Sequence, residues 1–181
     1  MAFFENDSFK NEIERGRTVF EAYNRLSKRE IVAMYYWYTN LGILFKECHG
    51  LLVQAINFQL ASKLKPILLH MTEIDPSWGG GHAYYALALY YSRLPKLMGG
   101  DLAKADDFSQ RSIEKGPNWL YSRWGRAKYL YTKTRNREAF KKDLEWVIAQ
   151  DPHMLDSPYA WNVFFQSSAR EMLRNMHTYF K

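Results

Sequence analysis

Cysteine is almost absent from this chain, and Cys48 by itself excludes an intramolecular disulfide. The five histidines show no H-E-x-x-H or other metal-ligand spacing, so neither metal nor cofactor is expected. Six prolines and ten glycines are too little punctuation for a many-turned β-sandwich. The uninterrupted apolar runs, Ile31 to Tyr38 and Ala83 to Tyr91 among them, fall far short of the roughly 20 residues a membrane span needs. The opening MAFFENDSFKNEIERG lacks a basic segment followed by an apolar core, so no signal peptide is expected within it. Acidic residues are outnumbered, 19 against 25 basic ones, for a net charge of +6. That excess supports a basic patch but not the charge density of an obligate nucleic-acid binder, so no nucleic-acid partner is expected. What the 181 residues do hold is 47% hydrophobic and 17% aromatic side chains, enough for a substantial core.

Apolar periodicity divides the chain into helices separated by Gly, Pro, Asn and Asp. Helices are expected from about Phe9 to Leu26, Arg29 to Glu47, Leu51 to Ile74, and from Gly79-Gly80-Gly81 to near Pro95. Further helices run from the cap Asp101 to Gly116, from Asn118 to about Lys133, from the cap Asn136 to Asp151, and from Ser157 to the C-terminus. No segment alternates with period two for long enough to read as a strand. Short connectors between helices imply antiparallel pairs.

Three of these helices share a tail of three packing positions followed by proline. The instances are Leu64/Leu68/Met71/Pro76, Ala105/Ser109/Ser112/Pro117 and Phe140/Leu144/Val147/Pro152. Tetratricopeptide repeats carry this spacing in their second helix, where the three positions face the partner helix and proline stops the chain. The partner helices answer with Tyr38-x-x-Leu41-Gly42-x-x-Phe45, with Ala83, Ala86 and Tyr90, and with Trp124, Ala127 and Tyr131. The small member is expected where two helices approach closely. The reading is an all-α, tetratricopeptide-like right-handed stack of antiparallel helix pairs, about 29–76, 82–117 and 118–152. An N-terminal helix 9–26 precedes it and a capping helix 157–180 closes it, all within a single domain.

Certain segments also resemble the T component of tetratricopeptide-associated tripartite ATP-independent periplasmic (TRAP) transporters. They are Tyr36-Trp37, the run Ala88 to Pro95 followed by Gly99-Gly100-Asp101, and Lys104-Ala105. At the C-terminus Asn162, Phe165, Gln166, Ala169, Met172, Leu173 and Phe180 match the family's closing-helix pattern. The Pro-to-Gly-Gly-Asp loop is the most specific of these. The resemblance implies a helical, often lipid-anchored periplasmic protein working beside a solute-binding protein. This chain shows no lipobox cysteine, so contact with a membrane would come only through an anchor it does not contain.

Groove-facing positions of the first helices map to Tyr36, Tyr84, Tyr91 and Tyr129, with Lys133 at the end of the third. Four tyrosines on one surface would offer flat apolar faces with hydroxyl handles for a partner segment or a small organic ligand. The alternative is that a terminal helix fills the groove and the tyrosines are core. Arg123 and Arg126, spaced i and i+3 in a strongly basic stretch, form a candidate docking stripe or, more often for such a stripe, a solvated face, since both flank Trp124 and so point away from its packing side. Gly79-Gly80-Gly81 at a helix start reads as an anion nest or a flexible connector, and no G-K-[ST] follows it. Cys48 and His49 are adjacent, and neighbouring helical residues do not face each other. No G-x-S-x-G and no inward carboxylate pair is present, so no catalytic residue is assigned and no enzyme is expected. The function expected is accessory binding in a TRAP-type transporter, docking its solute-binding protein or holding an organic ligand. A general tetratricopeptide adaptor for a peptide segment is the alternative, and homo-oligomerisation is left open.

Overall fold

Asn6 opens the first helix by accepting the Phe9 amide on its side-chain oxygen at 3.0 Å. The computed structural model to which this contact belongs describes residues 2–47 and 58–180. The Cys48–His49 pair, the Phe45 side chain and the expected helix start at Leu51 lie outside the described residues. All regular structure among the described residues is helical. The chain forms two compact units, Met1–Pro76 and Ser77–Lys181.

In the first unit, the helix expected over 9–26 is two. α1 (Asp7–Glu14) ends at Gly16, whose φ of 86° lies in the left-handed region, and α2 (Val19–Ala22) begins anew. The restart has a cause in the sequence: Thr18 and Glu21 form a capping box, the Thr18 amide donating to Glu21 Oε2 at 2.7 Å. A second box, Ser27 with Glu30, leads into α3 (Ile31–Glu47), which pairs with α4 (Phe58–Ile74). Burial alone would raise the Glu30 pKa, but hydrogen bonds from the Ser27 amide and hydroxyl and from Asn6 outweigh it and hold the carboxyl below its usual range. Phe9, Ala22, Leu26, Ile31 and Met34 are buried in this unit, as are Leu64, Ile67, Leu68 and Met71. Buried Glu12 is balanced by Arg17 at 2.9 Å and Arg25 at 3.1 Å.

The second unit begins at the glycine triplet, with Gly79, Gly80 and Gly81 at φ of 56°, 72° and 77°. It continues through α5 (His82–Arg93), α6 (Leu102–Lys115) and α7 (Leu120–Arg126). A π turn, Ala127–Tyr131, extends α7 to Thr134. Then come α8 (Arg137–Ala149), α9 (Tyr159–Arg174) and the short α10 (Met176–Tyr179). α5 and α6 form the tightest pair, and α8 lies against both α7 and α9. A core of Leu120, Trp124, Ala127, Phe140, Leu144, Val147, Ala169 and Met172 joins α7, α8 and α9. Every one of the nine tail positions shared by α4, α6 and α8 is buried.

The loop that carried the family resemblance is shaped by one close approach. A Cβ on Gly100 would fall 1.9 Å from the Leu94 carbonyl oxygen, so only glycine fits where the chain folds back from α5. Asp101 then caps α6, accepting from Ala103 at 3.0 Å and Lys104 at 3.1 Å. The closing-helix residues are wired inward as well. Fully buried Asn162 donates to the Pro152 and Ser157 carbonyls, and Gln166 donates to Val147, Ile148 and Gln150 carbonyls at the end of α8. Those side chains hold the α8–α9 corner and are not available to a ligand.

Candidate functional site

The glycine triplet is no anion nest. The Gly80 and Gly81 amides are already spent, Gly80 donating to Ser77 and Gly81 to Ser77 and Trp78, and the following His82 amide donates to Trp78. From the other side the Tyr121 hydroxyl reaches the Gly79 and Gly80 carbonyls at 2.7 and 2.8 Å. His82 sits among the rings of Trp78, Tyr85 and Tyr121, and burial pushes its pKa down to about 4. The imidazole is therefore neutral near pH 7.

The inferred tyrosine surface is distributed differently from the mapping. Tyr36 belongs to the first unit, where it is exposed and packs edge-on against Tyr35. In the second unit, α5 turns Tyr84 and Tyr91 toward α6. Both rings stack on Phe108, at 6.3 and 5.6 Å between centroids, and Tyr91 is buried. Tyr85, one residue on and so about 100° around the helix, faces α7 instead and meets Tyr121 at 4.8 Å. The close approach expected at a small residue occurs here: a Cβ on Gly125 would lie 2.3 Å from the Tyr85 ring. At Gly42 no described atom comes within 4 Å of such a Cβ.

Between α5 and α7 lies a crevice bounded by Tyr85, Leu89, Ser92, Gly125 and Tyr129, with a volume of about 10 Å³. That is room for one water molecule and not for an organic ligand. Of the four mapped tyrosines only Tyr129 lines it. Lys133, at the rim, donates to the Ser92 carbonyl, and its pKa is lowered by burial and then by neighbouring Arg93.

Arg123 and Arg126 do not form a solvated face. Both reach buried Asp143, Arg126 with Nε at 2.7 Å and Nη2 at 3.0 Å, Arg123 with Nη1 at 3.1 Å. Arg126 also donates to Gln110 at 3.1 Å, and the Arg123 guanidinium covers the Trp146 ring at 4.5 Å. The pair of arginines clasps α7 to α8. Their position beside Trp124 carries no sign of that acceptor, which lies on the next helix.

A different set of cations has no carboxylate within ion-pair distance among the described residues. Arg93 covers the Tyr129 ring at 4.5 Å, and Lys128 lies 4.7 Å over Trp124 and 5.4 Å over Tyr129. Tyr129 lies in the π turn that follows α7. Trp124 on α7 and Tyr129 meet edge to face at 6.0 Å. Trp124 in turn touches Phe164 at 6.3 Å and Phe165 at 5.1 Å on α9, and its indole donates to Ser168 at 3.0 Å.

A family profile described as TRAP transporter T-component matches residues 4–180, nearly the whole chain. The chain belongs to that family. The T component is a transporter accessory and its family is not known as one of enzymes. No curated protein matches the chain. Among the described residues of this T component, no helix is long and apolar enough to cross a membrane, and no group of three His, Cys, Asp or Glu side chains could hold a metal ion.

Proposed function

We propose that this chain is the non-enzymatic docking subunit of a TRAP-type transporter, a periplasmic protein that binds the transporter's solute-binding protein. Family membership supplies the transporter setting. One observation favours docking over the holding of an organic ligand in the second unit: the crevice between α5 and α7 has space for a single water. The tetratricopeptide-like stack belongs to the same proposal, supported by burial of all nine tail positions on α4, α6 and α8. Of the mapped residues, Tyr36 remains accessible on the first unit and, separately, Tyr84, Tyr129 and Lys133 on the second, whereas Tyr91 is buried.

The test is a titration of the purified chain with the solute-binding protein encoded beside it, with and without that protein's solute. Saturable one-to-one binding is expected in at least one of the two states. Absence of binding in both would overturn the docking role and leave a general adaptor for a peptide segment as the better reading.

A further inference from the structure

We propose that Trp161, Phe164, Lys128, Tyr129 and Arg93 form one docking surface, fitted to a protein partner that presents an apolar side chain ringed by carboxylates. This rests on the docking role proposed above and says where on the second unit the docking happens.

The aromatic half lies on α9. That helix buries Asn162, Gln166, Ala169 and Met172, so its packing duty is discharged by one face. Trp161 and Phe164 come off an adjoining face and remain 56% and 49% exposed. They are held in place nonetheless: Trp161 stacks on Phe165 at 6.0 Å and meets Phe164 edge-on at 5.7 Å. Exposed rings already fixed by their neighbours lose little freedom on binding, which suits them as anchors.

The charged half is continuous with it through Trp124, which touches Phe164 on α9 and lies under the Lys128 ammonium. Lys128 and Arg93 both lie over the Tyr129 ring, and Lys133 follows on the rim. None of these three cations has a carboxylate within ion-pair distance among the described residues. Like charges are thus held together by ring faces and a backbone carbonyl, with nothing to neutralise them. Carboxylates on a partner would do so. Trp, Tyr and Arg are the residue types that dominate the energetic centres of protein interfaces, which favours a protein over a lipid surface as the occupant.

Two variants of the full chain separate the halves: Trp161→Ala/Phe164→Ala, and Arg93→Glu/Lys128→Glu. Each is titrated with the transporter's solute-binding protein at low and physiological salt, with thermal melts as a fold check. The ring variant should bind at least about tenfold more weakly through faster dissociation. The charge variant should associate more slowly and lose most of its salt dependence. If either melts early, Trp161→Tyr and Lys128→Gln replace it, with the same direction expected at smaller size. Wild-type chain that fails to bind the solute-binding protein overturns the docking role and this surface with it. Wild-type binding that all variants reproduce overturns the surface and leaves the docking role standing. Self-association in sedimentation, or binding to phosphatidylglycerol vesicles, that the ring variant alone abolishes while solute-binding-protein affinity is unchanged makes the occupant a second copy or a lipid, and also overturns it.

Discussion

Arg126 holds Asp143 by a two-pronged contact, Nε to Oδ2 at 2.7 Å and Nη2 to Oδ1 at 3.0 Å, with Arg123 adding a third bond at 3.1 Å. The carboxylate is buried and its two cationic partners are largely so, with Arg126 only 10% exposed. Geometry of this kind satisfies a buried charge that would otherwise be costly. Asp143→Ala should therefore destabilise the second unit by about 3–5 kcal/mol, since it strands two guanidiniums. Arg123→Ala should cost less, because that side chain is the more exposed of the pair. Urea denaturation of the two variants gives the order.

Trp124 stands between α7, α8 and α9 at 6% exposure, with Leu120, Phe140 and Leu144 in the same core. Trp124→Ala is expected to cost roughly 3–5 kcal/mol, as large-to-small changes in packed cores do. The Ser168 hydroxyl would also lose its indole donor. Calorimetric melting compared with wild type checks this, and a loss below about 1 kcal/mol would contradict the packing described.

Two glycines predict graded steric effects. A Cβ on Gly116 would lie 2.3 Å from the Gly80 carbonyl oxygen, which is backbone inside a turn pinned by Tyr121. A Cβ on Gly125 would meet only the edge of the Tyr85 ring at 2.3 Å. Both Gly→Ala changes should destabilise, by about 1–3 kcal/mol or more, with Gly116→Ala the worse because backbone yields less than a ring. The comparison is read from melting temperatures.

His82 sets an acid-side dependence. Its pKa is about 4 when folded and near the ordinary 6.5 when unfolded. Between these values the unfolded chain binds more protons, so stability rises with pH there. The contribution is complete above about pH 6.5 and is lost as the pH falls toward 4. Glu30 and Asp101, whose carboxyls are held below their usual values, lose their contributions only at lower pH. Wild type should thus be less stable at pH 5 than at pH 7.5, and His82→Phe should flatten that difference. Denaturation midpoints at the two pH values provide the measurement.

Helix positions and stops could be read from the order of residues because their causes are local. Asp101 and Asn136 cap where expected, Pro76, Pro117 and Pro152 follow their helices, and the three-residue tails turn inward as a 3.6-residue period requires. Two local signals were present but missed: Gly16 with the Thr18–Glu21 box, which splits the first helix, and the Ser27–Glu30 box before α3. The family, too, was legible in the Gly99-Gly100-Asp101 loop and the closing helix. Facing was another matter. Whether Tyr84 or Tyr85 looks toward α7 is a matter of about 100° of rotation, decided by Phe108 on one side and Gly125 on the other. Whether Arg126 meets solvent or Asp143 depends on a carboxylate seventeen residues away on another helix. The π turn that carries Tyr129 is announced by no residue within it, and α7 packs against both α5 and α8. Backbone preference acts over a few residues and is written in them. Side-chain partnership is settled only when packing brings distant helices together.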